Sequence, residues 1–196
     1  SLFFCKLNSK PEKICNEFDF YTQQQKQAFG WVGQKFVSKL ETYQKTSYID
    51  GKSPFVWRQG VKNDASKVME LERRKEHFIN KNNEEFEFEE DLIYGLLKSS
   101  DLKFSTISKT GKYIIITQQK VGQETKYIAD SYPKTYSYLI NNLAAFKQRK
   151  SSIYKGKPQF SIFGIGDYSF KPYKVAISGM YKTTTFSLII PQNEKA

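Results

Sequence analysis

Planar polar side chains stand beside cations at several places in this 196-residue chain: Trp57-Arg58-Gln59, Gln118-Gln119-Lys120, Gln148-Arg149-Lys150, and the Tyr/Lys alternation of Tyr168, Lys171, Tyr173 and Lys174. An Arg fork fits a guanine edge and Gln or Asn fits adenine, while Lys, Ser and Tyr hold phosphates, so the set suits a nucleic-acid reader. Lys and Tyr alternating on a strand also describe an ordinary solvated sheet face. A second pattern, Asp101, then a strand, then Gln118-Gln119-Lys120, resembles the Asp…(Glu/Gln)-x-Lys arrangement of metal-dependent nucleases. Metal ligation favours carboxylates, and Gln118 in place of the second acid weakens a Mg²⁺ site. A third is Gly164-Ile165-Gly166, an opening shared by many nucleotide- and S-adenosylmethionine-binding loops. Such a loop needs a helix directly after it, so that bare backbone N–H groups face the ligand. Here the chain continues DYSFKPYKVAI, which is aromatic, β-branched and interrupted by proline, and suits an edge strand. Gly164 and Gly166 therefore read as punctuation between two strands.

Other chemistry is missing. The single histidine, His77, lies in ERRKEHFIN, which reads as an exposed, charged helix face, and one histidine is a poor basis for a Ser-His-Asp or multi-histidine metal site. No metal site is expected. The acidic run EEFEFEED alternates with phenylalanine and reads as a solvated strand face leading into a helix start. An amino-group DNA methyltransferase needs an (Asn/Asp/Ser)-Pro-Pro-aromatic loop to hold the target nitrogen, and none of the six prolines is adjacent to another. No catalytic residue is assigned.

The net charge of +11 is unevenly distributed: residues 1–100 hold 16 Lys and Arg against 15 Asp and Glu, and residues 101–196 hold 15 against 5. The second half is thus the candidate polyanion surface, whose attraction for phosphate backbones should fall steeply with salt. Only four of the 31 cations are Arg, so a merely solubilising lysine surface is the competing explanation. Cys5 and Cys15 fit neither a disulfide framework nor a zinc site, and no apolar run reaches the roughly 18 residues of a membrane helix. These features predict a cytoplasmic setting. The start, Ser-Leu-Phe-Phe-Cys, has neither an initiating Met nor a signal peptide and reads as cut from a longer protein.

These groups need elements to position them. Phe29, Val32, Phe36, Val37, Leu40 and Tyr43 are spaced as one helical face over Thr22–Tyr43. SPFVWRQGVKND predicts a short strand entering a structured loop, and Leu92, Ile93, Leu96 and Leu97 the stripe of a helix closed by Lys98. KYIIITQQK is a buried-strand pattern. Pro133 suits a first helical turn, followed by apolar Tyr136, Leu139, Ile140, Leu143 and Phe146, and then the basic loop from Arg149 to Lys155. Strand-like segments remain at 160–163, 168–177 and 184–190. The predicted class is α+β: a mixed or mainly antiparallel sheet with two to three packing helices.

Five stretches, in order, carry a family resemblance: SPFVWRQGVKNDASKVMEL, DLIYGLLKSSDL, IIITQQKVGQETKYI, YPKTYSYLINN and RKSSIYKGKPQFSIFGIGDYSFKPYKVAISGMYK. Over 53–190 the chain resembles the C-terminal target recognition domain of adenine-N6 DNA methyltransferases, including type IIG-like restriction–modification enzymes with a TaqI-like specificity domain. Asn63 and Tyr136 stand where that pattern has His and Trp, and residues 1–50 match poorly. The helical spacing noted above makes 1–50 an N-terminal helical segment, and the resemblance implies that it joins an upstream catalytic methyltransferase domain to a recognition domain over 51–196. It also implies S-adenosylmethionine bound in that upstream domain, with no cofactor held by this chain. Double-stranded DNA would be clamped across a cleft and read from the major groove while the target adenine is flipped out.

Residues assigned to DNA are Arg58, Gln59, Lys62, Gln118, Gln119, Lys120, Arg149, Lys150, Ser151, Tyr154, Lys155, Lys157, Lys171 and Lys174. Base readout is expected in the loops 103–112, 118–123 and 149–157, and scaffold or phosphate roles in the recurring motifs. Two other functions remain open on sequence alone: a metal-dependent nuclease using Asp101, Gln118 and Lys120, and a protein-interaction module whose basic face is incidental.

Overall fold

The computed structural model describes residues 2–5, 14–19, 24–179 and 184–190, which fall into two compact units, Ser1–Val56 and Trp57–Ala196. In the first, strands β1 (Leu2–Cys5), β2 (Ile14–Asp19), β3 (Gln24–Val32) and β4 (Lys35–Val37) pair in sequence order as an antiparallel meander. The helix expected over Thr22–Tyr43 is not formed: only α1 (Leu40–Thr46) is helical there. The period was misassigned. Val32 pairs with Lys35 across a two-residue turn in which Gly33 takes φ 59°, a conformation suited to a hairpin and to glycine. Two residues of the expected helical stripe, Phe29 and Phe36, meet edge-on across strands instead at 5.7 Å, and Trp31 also lies edge-on to Phe36 at 5.6 Å. Asp50 accepts hydrogen bonds from Lys35 and, at 2.5 Å, from the Tyr43 hydroxyl.

The second unit is built on α2 (Ser66–Met69) and a five-stranded antiparallel sheet. Its strands are β5 (Glu70–Arg74), β6 (His77–Asn80), β7 (Glu85–Phe86), β8 (Ile93–Gly95) and, after the short β9 (Thr106–Ile107) of another sheet, β10 (Lys112–Ile115), in spatial order β7-β6-β5-β10-β8. The buried-strand pattern of KYIIITQQK thus becomes an inner strand, with Ile114 and Ile115 buried. His77 sits in a hairpin, not on a helix: Arg74 pairs with His77 across a turn where Lys75 takes φ 55°. The helix expected over Leu92–Leu97 is likewise replaced, by a single 3-10 turn (Glu90–Leu92) and β8. Tyr94 and Gly95 register against Ile114 and Tyr113, so pairing with β10 overrides the local leucine preference for helix, and a Cβ on Gly95 would press on the Thr110 methyl of the loop preceding β10.

Pro133 does open a helix. α3 (Tyr127–Ser131), α4 (Pro133–Asn141) and α5 (Leu143–Lys147) follow one another, and Ile128, Tyr138, Leu139 and Phe146 join Met69 of α2 and the sheet's Leu71, Phe78 and Ile115 in one apolar core. Glu89 holds the start of α4: its carboxylate accepts from the Lys134 and Thr135 N–H groups at 2.8 and 2.9 Å and from Thr135 Oγ1 at 2.6 Å. The acidic run therefore does serve a helix N-terminus, although that of a helix some 45 residues later. The Tyr138 hydroxyl donates to the Val68 carbonyl at 2.8 Å and accepts from Asn80 at 3.0 Å, and burial pushes its pKa up to about 12.

A small third sheet, ordered β11-β12-β9, unites β11 (Lys174–Ile177), β12 (Phe186–Ile189) and β9, with β12 parallel to β9 and antiparallel to β11. The protein is α+β, with antiparallel pairing dominant. No helix among the described residues is long and apolar enough to cross a membrane.

Candidate nucleic-acid interface

Between α5 and β11 the chain makes no regular strand, yet it is tightly fixed. Residues 160–163 lie along β10's continuation and the 57–64 loop: Lys62 and Phe163 exchange both backbone hydrogen bonds, at 2.8 and 2.9 Å. The Thr117 hydroxyl donates to the Phe160 carbonyl at 2.6 Å, and Gln118 Oε1 accepts from the Ile162 N–H at 2.9 Å. The expected strand 160–163 is thus replaced by an extended segment stapled by side chains.

Gly164 explains the Gly-x-Gly. It takes φ 66°, and a Cβ there would run into the Gly60 carbonyl. The bare backbone is covered by the 57–64 loop and offers no N–H cradle to a cofactor, so the residues present do not fit S-adenosylmethionine at this position. After Gly166 comes a 3-10 turn, Asp167–Phe170, whose Tyr168 hydroxyl donates to the Gln59 carbonyl at 3.1 Å while its ring lies 5.6 Å from the Arg58 guanidinium.

Arg149 is the centre of this array. Its Nε donates to the Phe146 carbonyl at the end of α5 (3.2 Å), its Nη1 to Ser161 (2.6 Å) and Asn63 (3.4 Å), and its Nη2 to Gln159 (3.0 Å). Four of five donors are engaged within the protein, which leaves one N–H and no fork for guanine. The guanidinium also stacks 3.8 Å from the centroid of the Tyr154 ring, and that ring meets Phe163 edge-on at 5.3 Å. The Tyr154 hydroxyl reaches the Lys62 carbonyl at 3.4 Å. Desolvation draws the Arg149 pKa below its ordinary value and pushes that of Tyr154 up.

The assigned residues therefore divide. Gln118 is fully buried, its Nε2 donating to the Gln123 carbonyl, so it is no contact residue; the pattern of polar groups beside a cation could not distinguish it from its neighbour. Gln119 and Lys120 are exposed on the same loop, where the Gln119 N–H donates to Gln123 Oε1 at 2.8 Å. Arg58, Gln59, Lys150, Lys155 and Lys157 are exposed around the array, with Lys62, Ser151 and Tyr154 half-buried. Lys155 and Lys157 flank Gly156, which takes φ 65° after a 3-10 turn, Ser152–Tyr154. Lys62 is 3.6 Å from Asp64. Lys171 is exposed after the Asp167–Phe170 turn, and Lys174 is half-buried in β11, where desolvation lowers its pKa.

Sequence reasoning missed the staples Thr117, Gln123 and Asn63. Asn63 is buried and accepts from the Ala65 N–H at 2.8 Å, next to Asp64 at φ 49°; the Asn-Asp pair was the available turn signal. Tyr136 packs edge-on to Phe160 at 6.3 Å.

The nuclease arrangement loses its ligands. Gln118 is committed inside the protein, and Asp101 accepts from the Lys98 N–H at 2.7 Å and from Lys112 Nζ at 3.0 and 3.3 Å. Partial burial opposes its charge, but these donors outweigh it and hold the carboxyl below its ordinary pKa. Among the described residues no three His, Cys, Asp or Glu side chains cluster as a metal site.

Comparison with known proteins gives one informative match. The chain is 37% identical over 196 residues to the Type II methyltransferase M.NspV of Nostoc sp. (strain ATCC 29411 / PCC 7524), a match covering 99% of this chain and 41% of that protein. No family model matches, and no solved structure matches. The chain thus spans about two fifths of the relative's length, and across nearly all of its own residues it is related to a type II methyltransferase.

Proposed function

We propose that this chain is the DNA target recognition module of an adenine-N6 DNA methyltransferase of a restriction–modification system, of type IIG or a related kind, with the recognition domain in 51–196. It would bind duplex DNA and hold its register while a catalytic domain elsewhere in the parent enzyme, carrying S-adenosylmethionine, methylates the flipped adenine. Its setting would be the cytoplasm, where that DNA is.

The observation that supports this most directly is the array around Arg149. Three segments far apart in sequence, 57–64, 116–123 and 149–163, are held together by side-chain-to-backbone hydrogen bonds, and this fixed scaffold carries exposed Arg58, Lys120, Lys150, Lys155 and Lys157. A rigid base with flexible cations at its rim is what phosphate positioning requires, and exposed Gln59 and Gln119 add planar groups suited to adenine. The relationship to a type II methyltransferase supplies a DNA context.

Titration of a labelled duplex with the purified chain tests the proposal. Binding in the non-specific range, a Kd of roughly 10⁻⁴ to 10⁻⁶ M, is expected. It should weaken on the order of 100-fold between about 50 and 200 mM salt if about four phosphates are neutralised. Binding indifferent to salt, or no binding at the lower salt, refutes it.

A further inference from the structure

Among the described residues, the three-stranded sheet leaves one face exposed. In β12, Ser187 and Ile189 are buried, whereas Phe186 and Leu188 on the other face are 51% and 40% exposed. Their register partners in β11 extend the same face: Leu188 pairs with Val175, 63% exposed, and Phe186 with Ile177. Trp57, 57% exposed, closes the patch with its ring 6.1 Å from that of Phe186. None of these five side chains is charged or has a polar group beyond the indole N–H. A contiguous apolar patch of this kind marks an interaction site.

Two observations identify its occupant. A nucleic-acid backbone gains nothing from Val175, Ile177 and Leu188, which offer it neither charge nor hydrogen bond, so the face fits protein. The related M.NspV has about three fifths of its length outside the matched region, a body large enough to cover the patch. The position is also apt, because Trp57 runs directly into Arg58 and Gln59, which meet Tyr168 in the basic array. A body seated on the patch would stand beside the proposed DNA loops.

We propose that Trp57, Val175, Ile177, Phe186 and Leu188 form the seat of the methyltransferase body, resting on the reading that this chain is a module of such an enzyme. The face is a protein–protein joint bordering the DNA surface, and the two are separable by mutation.

Hydroxyl-radical footprinting tests this on two proteins: the chain alone, and M.NspV carrying the chain in place of its matched segment. Trp57, Phe186 and Leu188 should react freely in the chain alone and become protected about fivefold or more in the graft, as water is excluded from an interface core. Equal reactivity in both overturns the proposal. If the graft does not fold, the footprint is read on the chain co-expressed with the remainder of M.NspV as a separate polypeptide, and failure to co-purify is equally fatal. The neutral double variant Val175→Ser/Phe186→Ser of the isolated chain should bind duplex as the parent does; loss of binding, with the fold intact by circular dichroism, would give the face to DNA. Concentration-dependent dimerisation of the chain, abolished by the same variant, would give it to a second copy. If the chain binds no DNA yet the graft protects these residues, the joint stands and the DNA reading falls.

Discussion

Arg149 and Lys155 lie six positions apart in the sequence, and they do opposite things. Arg149 faces inward, joining α5, the 57–64 loop and residues 159–161, whereas Lys155 stands exposed beside Gly156 with its charge in solvent. The same contrast separates Gln118 from Gln119: adjacent amides, one buried as a staple and one exposed. Residue type therefore does not tell contact from scaffold. What decides is whether the donors meet carbonyls left without partners by irregular backbone, and the 159–163 segment, lacking sheet neighbours on its own account, supplies several.

The inward layer should be costly to disturb. The largest effect is expected from Gly164→Ala, which meets both a left-handed backbone and the Gly60 carbonyl. The variant should lose about 3 kcal/mol or more, since neither backbone can yield without breaking the Lys62–Phe163 pair. Urea denaturation would show it, and a loss below about 1 kcal/mol would mean that the two loops are not rigidly joined.

Arg149→Ala comes next. Removing a half-buried cation that donates to four backbone carbonyls should cost about 2–4 kcal/mol. Arg149→Lys should recover little, because one ammonium cannot span four carbonyls in a plane. In a full-length enzyme the alanine variant should bind all sites more weakly and leave the base profile unchanged. Methylation rates on single-base-substituted duplexes would reveal the opposite, relaxed discrimination at one base pair, which would return a readout role to Arg149.

Gln118→Leu tests the same layer more gently. It leaves the Ile162 N–H and the Gln123 carbonyl without partners, a cost of about 1–3 kcal/mol that the added apolar contact partly offsets. A midpoint unchanged in denaturant would show that water replaces the amide.

The sequence revealed elements wherever a single strong local signal agreed with the packing. Pro133 with its apolar stripe gave α4 and α5, and the Ile114–Ile116 run gave an inner strand, because in each the period and the terminus signal point the same way. It misled at 24–37, where glycines and aromatics support either period and only the φ of Gly33 decides. It misled again at Leu92–Leu97, where leucines favour helix locally but Ile93, Tyr94 and Gly95 pair with β10. The staples were illegible for another reason: Thr117 and Gln118 each bond a backbone group more than 40 residues away, and Arg149 reaches one 86 residues away, and no local spacing encodes that.

The smallest structural effect should come from the outward layer, and there the comparison is sharpest. Lys155 is exposed at the end of a 3-10 turn whose geometry depends on backbone contacts and on Gly156, not on its own ammonium. Lys155→Ala should therefore leave stability within about 0.5 kcal/mol of the parent. If the ammonium neutralises one phosphate, its removal releases one counterion fewer on binding, so the slope of log K against log salt should flatten by about one unit. The loss should be equal for all duplex sequences, because a flexible point charge reads no base edge. Lys157→Ala should behave alike, and the double variant should lose about two units if the two cations hold separate phosphates, since such contacts add. An unchanged slope in the double variant, with the fold intact, would move the DNA away from this loop and leave the array as a scaffold for something else.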